Sequence, residues 1–148
     1  MEDQNAYFRT RPDAEIDASY RPAFVNVERE VLGLRVEEGL VLRPVFGRNL
    51  TVSFVYMEPH SVAPVHQHPQ EQIGTIVEGG YEFELAGEKR MVRRGDVYVV
   101  PPNVTHGAVT HDEHCLAIDV FSPPREMLRE LMDRARAERS ASDQGGEK

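Results

Sequence analysis

The stretch His66-Gln67-His68, taken together with His106 further along, limits what this chain can be more than any other part of it. In a strand, alternate residues face the same side, so His66 and His68 project together. Two imidazoles on one face form a metal-ligand pair. His106 follows the turn signals Gly95-Asp96 and Pro101-Pro102 and is placed to add a third ligand from a neighbouring strand. Any one of the three alone would read as an ordinary turn or core histidine. His60, His111 and His114, in a loop or flanking the turn at Asp112-Glu113, read as solvated surface.

The rest of the chain supplies strands to carry such a site. At 148 residues, 40% of them hydrophobic, the chain reads as one domain with one compact core. Residues 40–46 and 50–57 read as strands joined at the hairpin signal Gly47-Arg48-Asn49, and Pro44 marks the first as an edge strand. Further strands are expected at 24–28, 72–77 (ending at Gly79-Gly80), 81–85, 91–93, 97–100 and 114–121. Short strands at close spacing with Gly/Pro turns predict an all-β antiparallel barrel or sandwich. After Ser122 the pattern changes. Ser122 is expected to cap a helix with Pro123 and Pro124 in its first turn. Met127, Leu128, Leu131, Met132 and Ala135 make one apolar stripe at helical spacing. The expected division is a mobile arm at 1–19, a barrel at 20–122, a helix at 123–139 and a disordered polar tail at 140–148.

Composition excludes several functions. No run of 18 or more apolar residues exists, so no membrane span is expected. The first seventeen residues are polar and acidic and lack the apolar core of a secretory signal. Cys115 is alone, so no internal disulfide forms and a cytoplasmic location is the default. The formal charge of −8 disfavours nucleic acid. It leaves room for an anionic small molecule, because a local arginine outweighs a distant net charge.

Asp119 interrupts the apolar run 116–121. An unpaired buried carboxylate is costly, so it must be paired, protonated or lining a wet cavity. Alternation puts Cys115, Ala117, Asp119 and Phe121 on one face, whose small residues leave room for a pocket. Leu116, Ile118 and Val120 form the other face, suited to packing. Asp119 then points toward the metal, or forms a structural ion pair with Arg125. Arg125, just past the strand, is placed to clamp a carboxylate, and Phe121 to wall a ring. Each has a plainer reading, as a helix surface residue and a core residue. The facing of Tyr56, Tyr81 and Tyr98 is not readable from the sequence.

The two histidine motifs resemble those of the cupin family over roughly residues 40–121. His66, His68 and Gly79 fit the first motif; Gly95, Pro101 and His106 fit the second, with Asn103 at its inner Gly. The resemblance implies a double-stranded β-helix (jelly-roll) barrel and, commonly, a homodimer. The Glu of the first motif is replaced here by Gln72, while Glu71 points to the opposite face of the strand. The implied ligand set is therefore His66, His68, Gln72 and His106, all neutral, around one divalent ion (Zn, Ni, Fe or Mn). Such an ion keeps nearly its full charge, which favours Lewis-acid over oxygen chemistry.

The string His66-Gln67-His68-Pro69-Gln70-Glu71-Gln72-Ile73 and the later Asp119-Val120-Phe121-Ser122-Pro123-Pro124-Arg125 resemble the pectin-degradation, KdgF-like cupins more narrowly. That group linearises 4,5-unsaturated uronates to open-chain keto sugars. The resemblance implies functional roles for Asp119, Phe121 and Arg125. The reading is a metal-dependent, non-redox enzyme acting on a small oxygenated substrate that bears a carboxylate. The alternatives are a cupin dioxygenase, a polyketide cyclase-type cupin, and a non-catalytic sugar- or metal-binding cupin.

Overall fold

The computed structural model describes residues 6–145. A short helix α1 (Val27–Glu30) precedes nine strands: β1 (Leu34–Glu37), β2 (Leu40–Phe46), β3 (Thr51–Met57), β4 (Val62–His66), β5 (Glu71–Leu85), β6 (Glu88–Arg93), β7 (Val97–Val100), β8 (His106–Val109) and β9 (Cys115–Ser122). Helix α2 (Glu126–Gln144) follows. The strands run β1-β2-β3-β9-β5-β8-β4, with β6 and β7 also on β5, and every pairing is antiparallel. This is the expected nearly closed all-β barrel with one C-terminal helix.

Strand β5 connects the two halves of the barrel. Its first part pairs with β9 and β7, and its second part with β6 and β8. Between them the register slips at Ile76/Glu78, and Gly79 takes φ +68. A bulge bends a strand and strengthens its twist, so one strand can serve two facing sheets. Gly79 is needed for space as well as for backbone angle, since a Cβ there would lie 1.9 Å from the His114 carbonyl oxygen. The inner faces of the two sheets meet in a core that includes Val55, Met57, Ile76, Phe83, Val100 and Ala117.

Several expectations are corrected. The strand expected at 24–28 is absent. Asn26 instead accepts a hydrogen bond from the Arg29 amide and caps α1, as Asn does at helix starts. Pro44 does not lie on an edge strand, because β1 adds outside β2. The β1 pairing stops at Leu42, however, so Pro44 leaves no ladder bond unmade. The strands expected at 72–77 and 81–85 are one strand. Ser122 does not cap α2; its hydroxyl donates to the Asn49 carbonyl, and the helix starts at Glu126. Leu116, Ile118 and Val120 are only half-buried, on the outside of the barrel.

The chain ends also differ from the expected boundaries. Within the segment expected to be a mobile arm, residues 1–19, Asp17 at its end meets the β2–β3 turn. Asp17 pairs with Arg48, whose guanidinium lies 4.5 Å over the Tyr20 ring. Helix α2 continues to Gln144, past the expected end at 139, and residues 1–5 and 146–148 lie outside the described residues. Leu128 and Met132 are buried, one turn apart, against β1 and β2.

Gly79→Ala is expected to destabilise the barrel by well over ~1 kcal/mol, through strain plus overlap. Gly87, also at positive φ but with open space around its Cβ, should cost only about 1 kcal/mol when changed to Ala. Urea midpoints of the two variants check the difference.

Candidate metal centre

His66 ends β4 and His106 begins β8, and the two are cross-strand partners. His68 lies just past β4 and turns its ring inward. The three ring centroids are 4.4 to 5.7 Å apart, and one candidate ligand nitrogen from each lies within 4.8 Å of the others. His68 and His106 are buried, while His66 is exposed at the cavity mouth.

Each imidazole is oriented by a backbone carbonyl two residues away. Nδ1 of His66 donates to Pro64 (2.8 Å), that of His68 to Gln70 (3.0 Å) and that of His106 to Val104 (2.9 Å). A carbonyl only accepts, so the proton of each ring sits on Nδ1 and Nε2 keeps its lone pair. Burial, ahead of other causes, pushes the His106 pKa down to about 4 and lowers that of His68. Both rings are thus neutral at neutral pH.

Gln72 supplies a fourth donor from the facing sheet. It is buried, while Glu71 is exposed on the outer side of β5, as alternation requires. Gln72 Oε1 lies 3.1 Å from His68 Nε2. With Nδ1 holding the proton, these are two acceptors facing each other with nothing between them to share. The buried Nε2 of His106 likewise has no partner. Orphaned acceptors converging in a buried place are costly for the protein alone. A divalent cation satisfies all of them, and three imidazoles with an amide oxygen suit it. Residues His66, His68, Gln72 and His106 therefore fit such an ion.

Asp119 sits beside this cradle. On β9 it lies opposite Ser53 of β3 and Gly74 of β5. Burial raises its pKa to about 6, against the opposing effect of hydrogen bonds from Tyr98 and Gln72. The Gln72 amide thus turns its N–H toward Asp119 and its oxygen toward the histidines. Tyr98 donates to Asp119 Oδ1 at 2.6 Å, and the Tyr81 and Tyr98 hydroxyls are 2.5 Å apart. Gly74 makes room for this, since a Cβ there would come within 2.4 Å of both the Tyr98 ring and Asp119 Oδ1. Gly74 and Ser53 were missed by sequence reasoning, which named Tyr81 and Tyr98 but left their facing open. In the structure Tyr98 and Val100 are buried and Val97 and Val99 exposed, an alternation that the apolar run Val97–Val100 does not announce.

Arg125 forms no ion pair among the described residues, so the proposed pairing with Asp119 is not formed. Its backbone amide is fixed by Thr51, and its guanidinium carbon lies 5.9 Å from the Phe121 ring centre. Burial lowers its pKa. Phe121 meets the His68 ring edge-on at 5.4 Å. His66, Gln72, His106, Asp119, Phe121 and Arg125 border one cavity of about 310 Å³, whereas His68 and Tyr98 do not line it. His60, His111 and His114 pair with surface carboxylates, away from the cradle. Cys115 is buried, with its thiol pKa pushed up to about 12 mainly by burial, and is inert.

A nearly closed antiparallel barrel with a histidine cluster between its sheets defines a small single-domain cupin. The family model described as the cupin domain matches residues 53–121. Over 78 residues the chain is 33% identical to the pectin degradation protein KdgF of Dickeya dadantii (strain 3937), covering 52% of this chain and 71% of that one. It resembles the solved structure of KdgF from Halomonas sp. with a TM-score of 0.66 at 36% identity, covering 73% of this chain and 98% of that one. It is also 36% identical over 67 residues to an H2HPP isomerase of Bacillus subtilis, covering 44% of this chain but only 28% of that protein. The chain belongs to the cupin family, within its KdgF-like group. Cupins commonly bind a metal, which agrees with the donor set found here.

Two outcomes are expected. Gln72→Ala should weaken zinc or nickel binding more than about tenfold, while Glu71→Ala should leave it unchanged, both read by titration calorimetry. The second concerns Asp119 in metal-free protein. Its pKa is about 6 when folded against a reference of 3.8, so the unfolded chain releases this proton at lower pH. Stability should therefore fall as pH rises from near 4 to near 6, and stay lower above that. Asp119→Asn should remove this loss and stabilise the metal-free protein at neutral pH by on the order of 2–3 kcal/mol. Denaturant melts across pH check the sign.

Proposed function

We propose that this protein is a metal-dependent, non-redox isomerase for a small oxygenated carboxylate. By kinship, its first candidate substrates are 4,5-unsaturated uronates. The observation that carries the reading is a cradle of neutral donors beside a buried carboxylate with a raised pKa and a guanidinium that has no ion pair among the described residues. A divalent ion held by His66, His68, Gln72 and His106 would supply Lewis acidity toward a substrate hydroxyl or carbonyl oxygen. Its neutral ligands leave its charge undiminished and do little to stabilise oxidised states, which sets the dioxygenase reading behind this one.

The protein's own groups divide the remaining work. Arg125 holds the substrate carboxylate. Phe121 packs against the ring. Asp119, held through Oδ1 by Tyr98, moves the proton. For an unsaturated uronate, Asp119 takes the proton of the C1 hydroxyl. The C1–O5 bond then breaks as C1 becomes a carbonyl, and the electron pair stays on O5 as an enolate. C4 gains a proton and C5 becomes the ketone, so no atom is gained or lost. The H2HPP isomerase relative is a cupin named for isomerisation, which agrees with this class of reaction. A second reading, an isomerase or cyclase for a more apolar carboxylate, is favoured by the apolar walls of the cavity. In it the same groups carry out the same proton transfer.

The proposal includes a homodimer. Exposed Ile73 and Val99 are cross-strand partners on the outer face of β5 and β7, with Val97 beside them, and offer an apolar surface to a second copy. No described helix is long and apolar enough to cross a membrane. A cytoplasmic location is proposed from the single, unpaired cysteine.

Metal-replete protein is expected to accelerate the loss of enol-ether absorbance near ~230 nm of lyase-generated unsaturated galacturonate. Asp119→Ala should slow it by about 10²-fold or more. Arg125→Ala should act chiefly on KM. No acceleration over buffer would discard this substrate, and full activity in Asp119→Ala would discard the role of Asp119.

A further inference from the structure

The polar groups of the cavity gather at one end. His66, Gln72, His106, Asp119 and Arg125 stand there, and Ser53 faces Asp119 across the β3–β9 pair with its buried hydroxyl unpartnered. The rest of the lining is largely apolar, with Leu40 and Leu42 of β2, Val55 of β3, Phe83 of β5 beside the His106 ring, and Met127 and Leu131 of α2. The remaining polar side chains do little there. Glu37 lies on the exposed rim, and the Tyr81 hydroxyl is engaged by Tyr98. Helix α2 itself is anchored by buried Leu128 and Met132 and by Arg129, whose guanidinium lies 4.5 Å over the Phe46 ring.

The wall that α2 adds has a chemical consequence. A sugar ring pressed against it would lose water from hydroxyls that find no partner, at about 1–3 kcal/mol each. A hydrocarbon body would instead gain about 25 cal/mol for each Å² removed from water. We infer that α2 is a specificity element, and that the preferred substrate is a carboxylate carrying one metal-facing oxygen and an apolar, aryl- or alkyl-type body. The apolar wall and the polar end together carry this. It rests on the proposed function for the polar end alone, and the uronate becomes a substrate that is turned over but loosely held.

The test uses zinc- or nickel-loaded full-length protein and two unreactive probes, 3-phenyllactate and D-galacturonate. Each offers a carboxylate and a hydroxyl, and they differ in the body. By calorimetry, 3-phenyllactate should bind at least about tenfold more tightly. In the double variant Met127→Gln/Leu131→Gln, at two positions that are not fully buried, this preference should shrink by about threefold or more at unchanged metal content. Arg125→Ala should weaken both probes. Equal or tighter binding of galacturonate, an unchanged preference in the double variant, or binding of neither probe overturns the inference. Probe binding as expected, with no turnover of unsaturated galacturonate or of the enol of phenylpyruvate, overturns the proposed reaction and leaves the inference standing. Turnover of the uronate with galacturonate the tighter probe overturns the inference alone.

Discussion

The site depends on three short hydrogen bonds that never reach the cavity. Each histidine of the cradle gives its Nδ1 proton to a backbone carbonyl two residues away, in the direction its own turn or strand end allows. Those bonds decide the tautomer, and the tautomer decides what faces inward. Three Nε2 lone pairs and the Gln72 oxygen are left without protons to share. Burial of His68 and His106 then keeps their rings uncharged. The protein alone gains nothing from such an arrangement, whereas with a cation in place every acceptor is used.

The barrel brings these groups together from both sheets. His66 and His106 come from the β4–β8 pair, and Gln72, Asp119 and Phe121 from the β5–β9 pair. Strand β5 can belong to both sheets because it bulges and bends at Gly79. Earlier on the same strand, Gly74 leaves the space in which Tyr98 reaches Asp119. Two glycines on one strand thus serve different purposes, one shaping the barrel and the other making room for the Tyr98–Asp119 contact.

Much of this was legible in the sequence because it follows from alternation. The inward turn of Gln72 and the outward turn of Glu71 come from period two, as does the shared face of Ala117, Asp119 and Phe121. The stripe Leu128/Met132 came from period 3.6. What was not legible depends on partners distant in the chain. The run Val97–Val100 is apolar or aromatic throughout, so composition hid which side chains face inward. The Tyr81–Tyr98–Asp119 chain joins three strands, and no local pattern announces it. Ser122 looked like a cap because Ser usually is one, yet its hydroxyl is drawn to Asn49 on the β2–β3 turn. The strand expected at 24–28 gave way to a helical turn because Asn26 satisfies a free amide there. The apolar stripe of α2 announced a packed helix; that Met127 and Leu131 would also wall the cavity appears only in three dimensions.

X-ray absorption of protein loaded with one equivalent of nickel or zinc tests the central claim most directly. The account predicts one ion whose shell contains three imidazoles and an oxygen ligand, with that oxygen lost in Gln72→Ala. An ion with one imidazole or none, or a shell unchanged when His106 is replaced, would contradict it.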